Sequence, residues 1–157
     1  MPVDVRQAVV SDAPVVAEMV GELLREIMAA TATTSFHFSQ SATEDRLRRW
    51  LEAGAYTVLL AEQDQVTVGF LALTETRALY AEGAFGTIPE LYVKPAFRSS
   101  GLGTALLAAA KEVAGRRGWK RLEVTTPPLP EFNRTLAFYQ RQGFGITGGR
   151  KMKLQVS

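Results

Sequence analysis

Residues 87–117 restrict the possible folds of this chain more than any other stretch. The run Thr87-Ile88-Pro89-Glu90-Leu91-Tyr92-Val93 reads as a strand. It breaks at Pro95, turns through the basic, Ser/Gly-rich segment Phe97-Arg98-Ser99-Ser100-Gly101-Leu102-Gly103-Thr104, and enters a long Ala/Leu-rich helix. The first turn of a helix carries N–H groups without intrahelical partners and the positive end of the helix dipole, so a strand–loop–helix unit of this kind is suited to hold an anion. Gly101 and Gly103 lack a Cβ and open the backbone to close approach, and Arg98 supplies a fixed positive charge.

Two common glycine-rich anion loops do not fit. A P-loop requires Gly, four residues, then Gly-Lys-Ser/Thr, whereas Thr104 follows Gly103 directly with no Lys. A dinucleotide loop requires Gly or Ala three residues after its second Gly, where this chain has Leu106. It also requires an acid ending the second strand, whereas Glu123 lies inside its strand. The arrangement that fits is Val, four residues, Arg or Gln, two residues, Gly, one residue, Gly or Ala. Val93, Arg98, Gly101 and Gly103 fill it. It resembles the acyl-CoA-binding motif of the GNAT N-acetyltransferases.

At 157 residues the chain is expected to form one domain over 1–157, large enough to bury a core without covalent staples. It is 46% hydrophobic and 22% charged, ordinary globular composition. Zero Cys excludes disulfides, thiolate metal sites and a cysteine nucleophile, and no metal is expected. A net charge of +2 gives no case for a nucleic-acid partner. The basic clusters Arg46-Arg48-Arg49 and Arg116-Arg117-Lys120-Arg121 read as solvated helix faces. No apolar run approaches membrane-spanning length, and the start lacks the pattern of a signal peptide, so no membrane partner and a cytoplasmic location are expected.

Patterning gives a strand at 3–8, then a helix capped by Ser11 or Asp12 with Val15, Val16, Met19, Leu23 and Ile27 at helical spacing. A Thr/Ser-rich loop covers 31–40. Ser41 with Glu44 predicts a capping box for a second helix that ends near Gly54. Strands at 56–62 and 66–74 form an antiparallel hairpin across Gln63-Asp64-Gln65. After the helix stopped by Gly118 come a strand at 121–126, a Pro-rich loop at 127–130 and a short helix at 135–142. A last hairpin pairs 144–147 with 150–156, because Met152, Leu154 and Val156 alternate with Lys151, Lys153 and Gln155. The expectation is an α/β (α+β) domain with a mixed, largely antiparallel sheet and one strand–helix–strand crossover.

This order is similar to the GNAT fold throughout, most specifically from 90 to 144. The resemblance implies a splayed parallel strand pair that binds acetyl-CoA, flanked by helices, and direct transfer of an acetyl group to an amine in a ternary complex. A catalytically silent acyl-CoA-binding module and a transferase for longer acyl chains are the alternatives, and a homodimer is left open. By resemblance, backbone groups of Leu91, Tyr92 and Val93 line the pantetheine and thioester, with the Val93 N–H as oxyanion donor. Backbone amides of Arg98, Ser99, Ser100, Gly101, Leu102, Gly103 and Thr104 would hold the pyrophosphate, helped by the Arg98 side chain and the hydroxyls. Tyr139, four residues before Gly143-Phe144, stands where the family places a tyrosine facing the CoA sulfur, with core packing as the plainer reading. Many relatives place an Asn seven residues before that Tyr. Here Phe132 stands there and Asn133 is one residue late, which weakens a CoA contact by Asn133.

Two carboxylates are candidate bases for the acceptor amine. Glu90 sits in an otherwise apolar strand, where burial raises a carboxylate pKa. Glu123 lies beside the cleft on the other splayed strand. His37, the only histidine, reads as incidental in its loop, and Phe36, Phe38, Trp50, Tyr80 and Phe85 are candidates to line the acceptor pocket, with core packing the plainer assignment for most of them.

Overall fold

Apolar residues run without polar interruption through Val58–Ala61 and Val68–Leu73, and this is explained by a sheet covered on both faces. The computed structural model describes residues 3–157; residues 1 and 2 of the expected domain lie outside the described residues. Strand β1 (Asp4–Gln7) pairs antiparallel with β2 (Thr57–Gln63), and β2 with β3 (Val66–Ala78). The β2–β3 hairpin turns at Asp64 and Gln65, both at positive φ (53° and 65°), the backbone that a tight two-residue hairpin demands. Along β2 and β3, Val58, Leu60, Phe70 and Ala72 face α1 (Ala13–Thr31) and α2 (Gln40–Glu52). Leu59, Ala61, Leu71 and Leu73 face the other way, onto Leu102, Leu106, Leu107 and Ala110 of α3 (Leu102–Arg117). The two-residue period of the strands thus sorts one continuous apolar run into two cores.

The expected strand at 87–93 is two elements. β4 (Gly83–Ile88) and β5 (Leu91–Val93) both pair antiparallel with β3, but out of phase. Thr87 lies opposite Thr74 and Leu91 opposite Leu71, so Ile88, Pro89 and Glu90 face only Ala72 and Leu73. That is a one-residue bulge at a proline that cannot donate to the ladder. β6 (Leu122–Val124) runs parallel to β4, with Gly86↔Leu122, Thr87↔Glu123 and Ile88↔Val124, and does not pair with β5. The crossover expected from sequence is therefore present, and beyond Ile88 the sheet opens.

Three expectations are corrected at element ends. Helix α2 begins at Gln40 with Ser39 as its cap, accepting from the Ala42 N–H at 3.3 Å; Ser41 lies inside the helix and Glu44 binds Gln40 and Arg48 instead. Neither Ser11 nor Asp12 caps α1 by its side chain. The Asp12 carboxylate accepts from both terminal nitrogens of Arg6 at 2.9 Å and from the Val9 N–H at 2.7 Å. The final hairpin is absent: after α4 (Asn133–Arg141), residues 145–157 form no strand and lie exposed, including Ile146, Met152, Leu154 and Val156. The alternation is real, but those side chains cover no face among the described residues.

Candidate active site

The bulge decides which backbone groups face the opening. The Ala72 N–H donates to the Glu90 carbonyl and the Lys94 N–H to the Val68 carbonyl, both at 2.9 Å. In an antiparallel ladder this alternation points Tyr92 at β3 and turns Leu91 and Val93 outward. On β4, before the bulge, the even residue Gly86 faces β6, donating to the Arg121 carbonyl. The N–H groups of Leu91 and Val93 therefore line the edge where β5 and β6 part. Tyr92, expected to line it with them, does not. Its ring is buried on the α1 face, and its hydroxyl donates to Glu22 at 3.1 Å. Burial beside Glu22 pushes that phenol up to about 12.

The same strand runs into the loop expected to hold an anion. Gly101, at φ +86°, is the N-cap of α3, and its carbonyl accepts the first helical bond from Ala105 at 3.0 Å. A Cβ at Gly101 would meet nothing, so this glycine is required by its left-handed backbone. The N–H groups of Leu102, Gly103 and Thr104 lie in the first turn, without carbonyls four residues back inside the helix. Gly103 is needed for its size, since a Cβ there would lie 2.9 Å from the Phe138 ring and push α4 away. The Leu102 side chain is buried in the core, leaving only its backbone for a ligand. Ser99 and Ser100 are exposed, with the Ser100 hydroxyl donating to the Phe97 carbonyl. Arg98 is already engaged. Its Nε donates to the Val93 carbonyl at 2.8 Å, and its two terminal nitrogens pair with Glu26 at 3.0 and 2.7 Å.

Behind the opening, on the α3 side, Tyr139 is buried between Phe138 and Phe144, with ring centroids 5.4 Å away on each side. Burial raises its pKa, and its hydroxyl has no hydrogen-bond partner among the described residues. Asn133 is exposed at the first residue of α4.

The two acids part company. The Glu90 side chain enters a cavity of about 180 Å³ on the α1/α2 face, lined by Val16, Val20, Leu24, Phe38, Leu47 and Trp50 among others. There it accepts a hydrogen bond from the Tyr56 hydroxyl at 2.5 Å. Desolvation raises the Glu90 pKa, partly opposed by the Tyr56 bond; burial and the neighbouring acid raise that of Tyr56 as well. Glu123 faces elsewhere and pairs with Arg121 at 2.8 Å, whose guanidinium lies over Phe85 and Tyr80. Tyr80 and Phe85 line a different cavity with Lys120 and Arg121, away from Glu90, and Phe36 is exposed without lining either. His37, incidental by its sequence context, lines the Glu90 cavity together with Phe38 and Trp50. Nothing in the sequence singles out Tyr56, because its partner is 34 residues away. Arg46 reads as part of a solvated face because its neighbours Arg48 and Arg49 mask the stripe it belongs to.

Comparison with known proteins agrees with this geometry. Residues 22–144 match the Acetyltransferase (GNAT) family. An uncharacterised N-acetyltransferase of Bacillus subtilis (strain 168), YhfO, is 29% identical over 141 residues, covering 90% of this chain and 89% of that protein. Among solved structures, a predicted acetyltransferase from Clostridium acetobutylicum, crystallised with acetyl-CoA, superposes with a TM-score of 0.79 at 16% identity, over 98% of this chain and 96% of that one. An aminoglycoside acetyltransferase from an uncultured soil sample, HMB0005, gives 0.76 at 24% identity over the full length of both chains. With the motif, the opened sheet and the family match in agreement, the chain belongs to the GNAT acetyltransferase family.

Proposed function

We propose that this protein moves an acetyl group from acetyl-CoA to an amine by direct attack in a ternary complex. The observation that carries the reading is the bulge at Ile88-Pro89-Glu90, which serves both halves of the reaction. It turns the Leu91 and Val93 N–H groups to the open edge, and it places the Glu90 carboxylate in a cavity on the α1/α2 face.

The residues present suit the donor. Backbone N–H groups of Leu102, Gly103 and Thr104, with the Ser99 hydroxyl, form an anion seat at the positive end of a 16-residue helix. Arg98 contributes less charge than its motif suggests, because Glu26 already neutralises it. Its bonds to Val93 and Glu26 hold the loop between β5 and α1 instead. The Val93 N–H is positioned to donate to a thioester carbonyl as negative charge grows there, a contribution whose removal typically costs about 10²–10³ in rate. Glu90, in its carboxylate form, takes the proton of the attacking amine, and its raised pKa makes it a stronger base for that step. Tyr139 stays protonated at neutral pH and donates to the departing thiolate. Base and acid then approach the transferring carbon from opposite faces of the sheet through the gap between β5 and β6. Glu123, paired with Arg121, is not needed for this route.

An acetyl-CoA-consumption assay across a panel of amines tests the reading. Amine-dependent thiol release is expected, and release should be lost in Glu90→Gln and strongly slowed in Tyr139→Phe. Tight acetyl-CoA binding with no turnover on any amine would instead indicate an acyl-CoA-binding module.

A further inference from the structure

The walls of the Glu90 cavity restrict what acceptor can enter it. The α1 wall is Val16, Val20 and Leu24, four residues apart along one stripe. The α2 wall is Thr43, Arg46, Leu47 and Trp50, the i, i+3, i+4, i+7 spacing of a single helix face. Arg46 is therefore on the inward stripe of α2. Arg48 is not, and it is paired with Glu44 and Asp45 at 3.2 and 2.9 Å. Arg46 makes no ion pair among the described residues. It is exposed, which sets it at the open end, whereas Glu90 lies at the enclosed end under Tyr56. Between them the walls are mostly hydrocarbon and aromatic, with His37, Thr43 and the Tyr56 hydroxyl the other polar groups.

We propose that the acceptor is a compact amine bearing both an apolar body and a carboxylate, and that Arg46 selects it by pairing with the carboxylate. This rests on the reading of Glu90 as the amine's base. A neutral apolar amine would satisfy the walls and leave Arg46 idle. A polycation such as an aminoglycoside or spermidine would bring further positive charge against Arg46, a like-charge contact that disfavours binding. The volume, about 180 Å³, is below the roughly 300–1,000 Å³ usual for drug-sized ligands and excludes a multi-ring sugar from full entry.

The test compares matched pairs: 6-aminohexanoate and 8-aminooctanoate, each with its amide, with spermidine and kanamycin as polycations. The carboxylates should be favoured in kcat/KM by roughly tenfold over the amides, with the polycations poorest. Arg46→Gln should remove that preference by raising KM for the carboxylates while kcat and activity on the amides hold; Arg46→Lys should restore part of it. Binding followed by tryptophan fluorescence gives the same comparison where turnover is slow. A preference that is absent in the native protein, that survives Arg46→Gln, or that runs towards the polycations overturns the proposal. Failure of the base assignment looks different: Glu90→Gln would then leave turnover unchanged on every amine, whatever Arg46 does.

Discussion

At the scale of single residues, Glu90 and Tyr56 form the hydrogen-bonded pair to which the proposed mechanism ties pH dependence. Burial raises the Glu90 pKa and the Tyr56 hydrogen bond lowers it, so the two effects can be separated. In the proposed mechanism Glu90 works as a carboxylate base, so kcat/KM should rise with pH through its raised pKa, and Glu90→Gln should abolish that limb. Tyr56→Phe removes the opposing effect and should move the limb to higher pH. His37 lines the same cavity, so His37→Gln serves as the control and should keep the limb. Stability follows the opposite direction to activity. A carboxyl with a raised folded pKa stabilises fully below its ordinary unfolded value, and that contribution fades as pH rises through the folded value. Native protein should therefore lose melting temperature across that window relative to Glu90→Gln. On the other face of the sheet, Tyr139→Phe should lower kcat by about 10²–10⁴ while acetyl-CoA affinity holds, because the ring keeps its place between Phe138 and Phe144. Wild-type turnover in that variant would reduce Tyr139 to packing.

At the scale of elements, the start of α3 and the β4–β6 pairing can be probed separately. Thr104 is exposed in the first turn of α3, where an acid favours the helix but repels a bound pyrophosphate. Acetyl-CoA at a hundred times its Kd should add about 2.7 kcal/mol to the native protein, roughly 5–11 °C for a chain of this size. Thr104→Glu should keep the unliganded melting temperature and lose that rise; an equal rise in both would place the donor elsewhere. Gly86 allows β4 and β6 to pair closely, since a Cβ there would lie 2.6 Å from the Trp119 ring and 2.7 Å from Leu122. Trp119 is buried, and its indole N–H donates to Glu75 at 2.8 Å, so it has little freedom to retreat. Gly86→Ala is accordingly expected to cost about 1–3 kcal/mol, read as a melting temperature lower by roughly 2–12 °C. An unchanged melting temperature would show that the ring can move aside.

At the scale of the whole molecule, the exposed tail is the feature the fold does not absorb. β6 ends the sheet with its outer edge unpaired among the described residues, and residues 145–157 present Ile146, Met152, Leu154 and Val156 to solvent. An uncovered edge beside an alternating apolar segment favours association. The chain is expected to self-associate in light scattering, and Met152→Lys with Leu154→Lys should shift it to a monomer; a monomeric native chain would contradict this. The same tail marks the limit of reading from sequence. Its alternation resembles a strand, but a strand needs a partner edge, which a period of two does not specify. What the sequence determined by itself was local: the strand–loop–helix unit and its motif, the hairpin around Gln63-Asp64-Gln65, the helix spacings and the burial expected of Glu90. Each depends on neighbours a few residues apart. The bulge opposite Ala72 and Leu73, the Glu26 carboxylate on Arg98, the Tyr56 bond to Glu90 and the inward turn of Arg46 were decided only in three dimensions. They join segments far apart in the chain, and register and pairing at that distance are set by packing of the assembled sheet and helices rather than by local preference.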